Sequence, residues 1–387
     1  MNPLDNTIYL DYAATTPTDP EVFEAMLPYL SGPLAFGNAS SIHRAGRAGR
    51  AAMDAAREQI ARLLNADFAE IYFTGSGTES DNLALIGTLW AAPPERSHLV
   101  TTAFEHHAVL HSAHFLQSQK YAVTAVSPDC DGLISPETIA EALTDNTALV
   151  SVMHANNEIG TIQPIAEIAK IAHNRGAKFH TDAVQTAALL PLDVRGLDCD
   201  LLTLSAHKIY GPKGIGALYI RQGTKVSPLI HGGAQEREKR AGTENVAAIV
   251  GFGKAAELTM QRRDADAAQI QVVRDRFLSL LHDQIPGVRL NGHATQRLAN
   301  NVNVSVEGAE GATLLMNLDR FGVAASSGSA CSSGSIEPSH VLKAIGLTDA
   351  LASSGVRFSL GRHTTQAEIE RAATVFAEVT TRLRNRK

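Results

Sequence analysis

The chain has 387 residues, 44% hydrophobic and 19% charged, with 34 Lys and Arg against 40 Asp and Glu for a formal charge of −6. This composition excludes wholesale disorder and argues against a nucleic-acid binder working through a basic surface. At roughly 150 residues per domain, the length predicts two to three domains, or one large α/β domain with an appendage.

In chain order, strands are predicted over residues 70–74, 98–102, 121–126, 147–153, 178–181, 201–204 and 216–220. Helices are predicted between them over 78–90, 105–118 and 164–175. Strand–helix alternation at this spacing predicts a mostly parallel sheet flanked by helices on both faces. Residues 245–285, rich in Ala, Arg, Asp and Gln, read as one or two long helices leading out of this unit. Beyond them come strands over 301–306 and 322–325 and helices over 311–320, 339–344 and 366–381. They predict a smaller α/β domain, joined by residues 1–14. The expected division is a large domain over 15–260 and a small one made of 1–14 and 261–387.

No apolar run reaches the roughly 18 residues a membrane helix needs. Residues 1–11 carry no Lys or Arg, so neither a signal nor a transit peptide is expected. Cys130, Cys199 and Cys331 are too few and too scattered for a disulfide framework or a zinc knuckle. A cytoplasmic protein without membrane or nucleic-acid partners is the expectation.

Ligands of open α/β sheets bind at the carboxyl ends of the strands, so polar residues at those ends are the candidates. Gly75-Ser-Gly77-Thr78-Glu79 follows a strand and opens a helix, which makes an anion site suited to phosphate, or simply a capped turn. Lys208 follows another strand, in Ser205-Ala-His207-Lys208. Once desolvated, such a lysine can form a Schiff base with a carbonyl; otherwise it is a solvated surface residue. Asp182 ends the strand before that one. It can pair with a protonated ring nitrogen or cap the following turn. Phosphate cradle, acid and lysine in one α/β unit point to pyridoxal 5′-phosphate (PLP).

Cys331 lies in Ser326-Ser-Gly-Ser-Ala-Cys331-Ser-Ser-Gly-Ser335, a segment without bulky anchors that predicts an exposed, mobile loop and a reactive thiol. Cys199 opens an apolar strand and is expected to be buried and inert. Two patterns point elsewhere. Gly251-Phe-Gly253-Lys-Ala-Ala256 matches a dinucleotide fingerprint but sits in predicted helix, without the required strand before it. His107, His111 and His114 share one helix face, which reads as a polar face rather than a metal site. No metal is expected at the active site.

The chain resembles the cysteine desulfurases, of the NifS and IscS kind, within the class V aminotransferase family of PLP enzymes. The motifs that carry the resemblance run nearly end to end. They include Tyr9-Leu-Asp-Tyr-Ala-Ala-Thr-Thr-Pro17, Gly37-Asn-Ala-Ser-Ser-Ile-His43, Gly77-Thr-Glu-Ser-Asp-Asn82 and Glu105-His-His-Ala-Val-Leu110. Further along are Asn156-Asn-Glu-Ile-Gly-Thr-Ile-Gln163, His180-Thr-Asp-Ala-Val-Gln185, residues 205–216, Arg240-Ala-Gly-Thr-Glu-Asn245, residues 327–334 and Arg357-Phe-Ser-Leu-Gly-Arg362.

The resemblance implies PLP fold type I, aspartate aminotransferase-like: a large domain with a mostly parallel mixed sheet flanked by helices, plus a smaller α/β domain carrying the Cys331 loop. It implies Lys208 as the residue bonded to PLP, Asp182 on the pyridinium nitrogen, His106 stacked on the ring and moving protons, and Gln185 on the ring hydroxyl. Gly77, Thr78, Ser205 and His207 would bind the phosphate, with Thr243 reaching in from the second subunit of a homodimer. Asn157 and Arg357 would hold the carboxylate of L-cysteine, and Asn157 would also contact the cofactor. Sulfur would pass to Cys331 as a persulfide, leaving alanine, and then to acceptors such as an iron–sulfur scaffold protein. Ala39, His107 and Ser332 depart from the residues usual in the family at those positions. The spacing from Cys331 to Ser339 matches the members with a long loop. The competing readings are a selenocysteine lyase or another class V PLP enzyme, and a PLP-bound scaffold that docks sulfur acceptors without turnover. An aminotransferase would keep its activity in Cys331→Ala.

Overall fold

The computed structural model describes residues 7–32, 34–327 and 338–385. Its largest sheet orders seven strands as Ile71–Thr74, Gly216–Ile220, Leu201–Ser205, Lys178–Asp182, Thr147–Ser151, His98–Thr102 and Ala122–Val126. Gly216–Ile220 runs antiparallel to both of its neighbours; every other pairing is parallel. Four of these strands are buried along their whole length, which is why they read as continuous apolar runs rather than alternating ones. The pleat sends successive residues to opposite faces. Val100, Val150, Phe179 and Leu202 join one core cluster, while Leu99, Leu149, Leu201 and Leu218 join another.

A second, antiparallel sheet orders Gly355–Ser359, Asn301–Val306 and Val288–Leu290. Ile8–Tyr9 pairs in parallel with Val323–Ala324. Around these strands lies a separate core in which Phe358 meets Phe277 and Phe376 edge-on, with ring centres 5.1 and 5.2 Å apart. Val246–Gln284 is a single helix of 39 residues. Phe252, Ala255 and Ala256 at its start pack into the first core, and Ile270, Val273, Phe277 and Leu281 into the second. A Cβ on Gly253 would lie 2.6 Å from the Ala56 Cα. The Gly-x-Gly pattern therefore marks a close crossing of two helices.

The structure adds elements that the alternation did not include. These are helices Pro20–Leu30, Arg44–Leu64, Pro136–Ala142 and Asp349–Ser353, and strands Val288–Leu290 and Gly355–Ser359. Arg44–Leu64 buries Met53, Ala56, Ile60 and Leu64 at helical spacing, but its many Ala and Arg residues dilute that period. Among the described residues, no helix is long and apolar enough to cross a membrane.

Candidate active site

The carboxyl ends of the parallel strands converge on a cavity of about 420 Å³. Gly77, Thr78, His106, Asn157, Asp182, Gln185, Ser205, His207 and Lys208 all line it. Arg357 stands behind its wall. Thr243 is exposed and outside the lining, and Cys331 lies outside the described residues.

One end of the cavity is built for an anion. The helix Gly77–Ala91 begins there, with Ser76 as its cap and the Ser76 hydroxyl accepting the Glu79 N–H at 3.1 Å. First-turn N–H groups have no intrahelical acceptor and carry the positive end of the helix dipole. A Cβ on Gly77 would stand 3.1 Å from Val184 Cγ2 and 3.2 Å from the Ser205 Cβ, so any side chain here would crowd the cradle. His207 lies close by, its Nδ1 3.1 Å from the Thr15 hydroxyl. Burial first, then Lys208 and Lys213, push this imidazole down to about 4, so it is neutral at pH 7.

Lys208 closes a single 3₁₀ turn, Ala206–Lys208, directly after the strand Leu201–Ser205. Its Nζ donates to the carbonyls of Ala13 and Ala14, the latter at 2.8 Å. The Ala13 carbonyl also accepts from Gln185 Nε2 at 3.0 Å. Asp182 is the last residue of its strand, and its Oδ1 accepts the Val184 N–H at 2.9 Å. The acid therefore caps the turn and also faces the cavity. Burial raises its carboxyl to about 6, against the pull of the Val184 N–H and of Lys208.

The helix expected over 105–118 starts at His107, because His106 is its cap and its Nδ1 accepts the Ala108 N–H at 3.1 Å. Nδ1 as acceptor places the ring proton of the neutral imidazole on Nε2. Burial, then the Lys208 cation, push His106 down to about 4. Arg357, 2% exposed, donates to the Asn157 carbonyl at 2.9 Å and to Asp11 Oδ1 at 2.8 Å. The second sheet is thereby tied to the cavity wall.

Two acids in this region have no role in the sequence reading. Asp81 lines the cavity; its Oδ1 has no hydrogen-bond partner and lies 3.7 Å from His180 Nε2. Burial, then Asp182, push its carboxyl well above the usual range. Glu105 accepts the Met153 N–H at 2.9 Å and the Thr102 hydroxyl at 2.8 Å on Oε1, leaving Oε2 without a hydrogen bond. Burial lifts it to about 8. The sequence signal for Asp81 is an acid next to the apolar run that starts at Leu83.

Elsewhere, Cys199 is buried and its thiol is raised to about 12 by burial, as expected of an inert cysteine, while Cys130 is exposed. The rings of His107, His111 and His114 follow one another at 5.0 and 6.2 Å. Among the described residues, no group of three or more His, Cys, Asp or Glu is arranged to hold a metal ion.

The sequence profile of the family described as aminotransferase class-V matches residues 8–372. The chain is also 49% identical over 377 residues to the cysteine desulfurase IscS of Dictyoglomus turgidum, covering 97% of this chain and 95% of that one. The chain belongs to the class-V aminotransferase family, among its cysteine desulfurases. A desulfurase of this family from Methanosarcina thermophila is 49% identical over 381 residues, covering 98% of this chain and 94% of that one. Among solved structures, one described as a NifS-like protein superposes with a TM-score of 0.90 at 33% identity, covering 97% of this chain and 99% of the other. The α/β fold is thus the one seen in NifS-like proteins. The family uses PLP, and the cavity fits that cofactor: a lysine, a buried acid and a helix start kept open by Gly77 share one space.

Proposed function

We propose that this desulfurase converts L-cysteine to L-alanine, taking the sulfur onto Cys331 as a persulfide and then passing it to an acceptor such as an iron–sulfur scaffold protein. One observation carries this reading: Lys208, Asp182 and the Gly77–Thr78 helix start meet in one cavity, in a chain close to desulfurases over nearly its whole length.

Lys208 would hold PLP covalently, Asp182 would face its ring nitrogen, Gln185 its ring hydroxyl and His106 its ring face. Gly77, Thr78, Ser205 and His207 would hold the phosphate. When bound, PLP supplies an electron-withdrawing ring that stabilises negative charge developing at the substrate Cα. Asp182 suits this task because burial pushes the carboxyls of its neighbours Asp81 and Glu105 above the usual range, Glu105 to about 8, which disfavours negative charge on them.

Arg357, oriented by the Asn157 carbonyl and Asp11, would pair with the substrate carboxylate together with the Asn157 side chain. Lys208 Nζ would take the Cα proton. His106, neutral with its proton on Nε2, is the second group placed to move it. The Cys331 thiolate then bonds to the substrate sulfur as the Cβ–S bond breaks. The electron pair of that bond stays with the substrate, which is protonated and leaves as alanine.

We further propose a cytoplasmic homodimer in which the exposed Thr243 completes the phosphate site of the second copy, and a division into 15–260 and 1–14 with 261–387. The test is alanine and sulfide formation from L-cysteine by PLP-loaded protein with a reductant, beside Cys331→Ala. Activity in wild type alone supports the reading. Equal activity in both proteins removes Cys331 as acceptor and favours a lyase or aminotransferase. Inactivity of both, even with an acceptor protein added, favours a docking scaffold.

A further inference from the structure

Behind the phosphate end of the cavity lies a second layer of charge. Glu79, in the first turn of Gly77–Ala91, folds back so that its Oε2 accepts the Gly75 N–H at 2.8 Å. Arg240, 161 residues away in sequence, grips the same carboxylate, with Nε 2.9 Å from Oε1 and Nη2 3.5 Å from Oε2. The two side chains, Arg240 and Glu79, are 26% and 23% exposed.

The segment that delivers Arg240 is held independently of this contact. Glu236 receives both Arg57 terminal nitrogens at 2.6 and 2.7 Å and the Phe73 N–H at 2.8 Å. Glu236, Arg237 and Glu238 take left-handed φ values of 44°, 52° and 63°, which non-glycine residues adopt only when their surroundings enforce them. Arg240 is thus placed by its loop, unlike the partners of a free surface pair.

A helix start favours one anion, but a carboxylate one residue past Thr78 would repel a phosphate held there. In a partly buried setting that repulsion is poorly screened. We propose that Arg240 is a positioning residue that neutralises Glu79, so that Glu79 can fasten the Gly75 turn without opposing the phosphate of the cofactor. This rests on the reading of the cavity as a PLP site.

The test is titration of the full-length protein, stripped of cofactor, with PLP and separately with pyridoxal, which lacks the phosphate. Arg240→Gln leaves the Glu79 charge uncompensated, and its PLP affinity should fall about tenfold, with pyridoxal affinity unchanged. In the double variant Glu79→Gln with Arg240→Gln, the amide oxygen introduced at position 79 still accepts the Gly75 N–H, and PLP affinity should return to within about threefold of wild type. A double variant as weak as Arg240→Gln, or an equal loss for pyridoxal, would mean that the pair only staples the loop, and overturns the proposal. Wild type that binds no PLP at all would instead overturn the cofactor reading on which it rests.

Discussion

Two buried charge clusters, Arg57 with Glu236 and Asp81 with Glu105, are finished differently. In the first, Glu236 has both oxygens engaged by Arg57, with the Phe73 N–H added, and both side chains are 3% exposed. Arg57 also donates to the Ile71 carbonyl and lies over the Phe73 ring at 4.7 Å. In the second, Asp81 and Glu105 each keep an oxygen without a hydrogen bond. Among the described residues, neither is ion-paired to a Lys or Arg. In the first cluster both carboxylate oxygens are engaged and only Arg57 Nε lacks a hydrogen-bond partner, as suits a pair that holds a loop. The second leaves a carboxylate oxygen unpartnered on each acid, with Asp81 on the cavity wall, and burial raises both.

The largest effects should come from the lysine of the cavity beside the second cluster and from the centre of the first. Lys208→Ala removes the residue proposed to bond PLP, and alanine formation should fall by at least about 10³-fold, about 4 kcal/mol of barrier. The measurement is a discontinuous alanine assay beside the visible absorption of the loaded protein; an active variant sinks the assignment. Glu236→Ala strands a buried guanidinium and should cost about 3–5 kcal/mol of stability by urea unfolding. Replacing both partners, Arg57→Met with Glu236→Leu, should cost clearly less. If the double variant is the worse one, the pair is more than a loop anchor. Asp182→Asn keeps the Val184 hydrogen bond but removes the charge at the ring nitrogen. We expect about a hundredfold loss in kcat, with the fold retained.

Much of this was legible in the sequence, for a physical reason. The central strands are buried on both faces, so the runs at 98–102, 147–153 and 201–204 stand out, and the candidate residues follow directly at their ends. That Lys208, Asp182 and His106 line one cavity was legible because clefts of such sheets open at the strand ends. Gly355–Ser359 was not, since its middle is a buried Arg357 whose partners, Asp11 and the Asn157 carbonyl, are remote in sequence. Arg44–Leu64 was hidden by Ala and Arg. Asp81 and Glu105 were visible as letters but not as groups with shifted protonation, because burial is a property of the packed structure.

Glu105→Gln is the smallest change and isolates the open cluster. Glu105 has an ordinary value of 4.5 and sits near 8 when folded. Below 4.5 both folded and unfolded forms are protonated. Between 4.5 and 8 the unfolded chain releases its proton while the folded one keeps it, so wild-type stability falls as pH rises through this window, by up to about 1.4 kcal/mol per pH unit. A glutamine at this position has no proton to release. Its amide oxygen can accept from Met153 and Thr102 as the protonated acid does, and its NH₂ group stands where the acid's O–H would be. The variant should therefore match wild type within about 1 kcal/mol at pH 5 and become the more stable of the two toward pH 8. Urea midpoints across that range decide it. Parallel profiles would mean that Glu105 ionises normally in the fold, and the contrast between a closed and an open cluster would lose its open member.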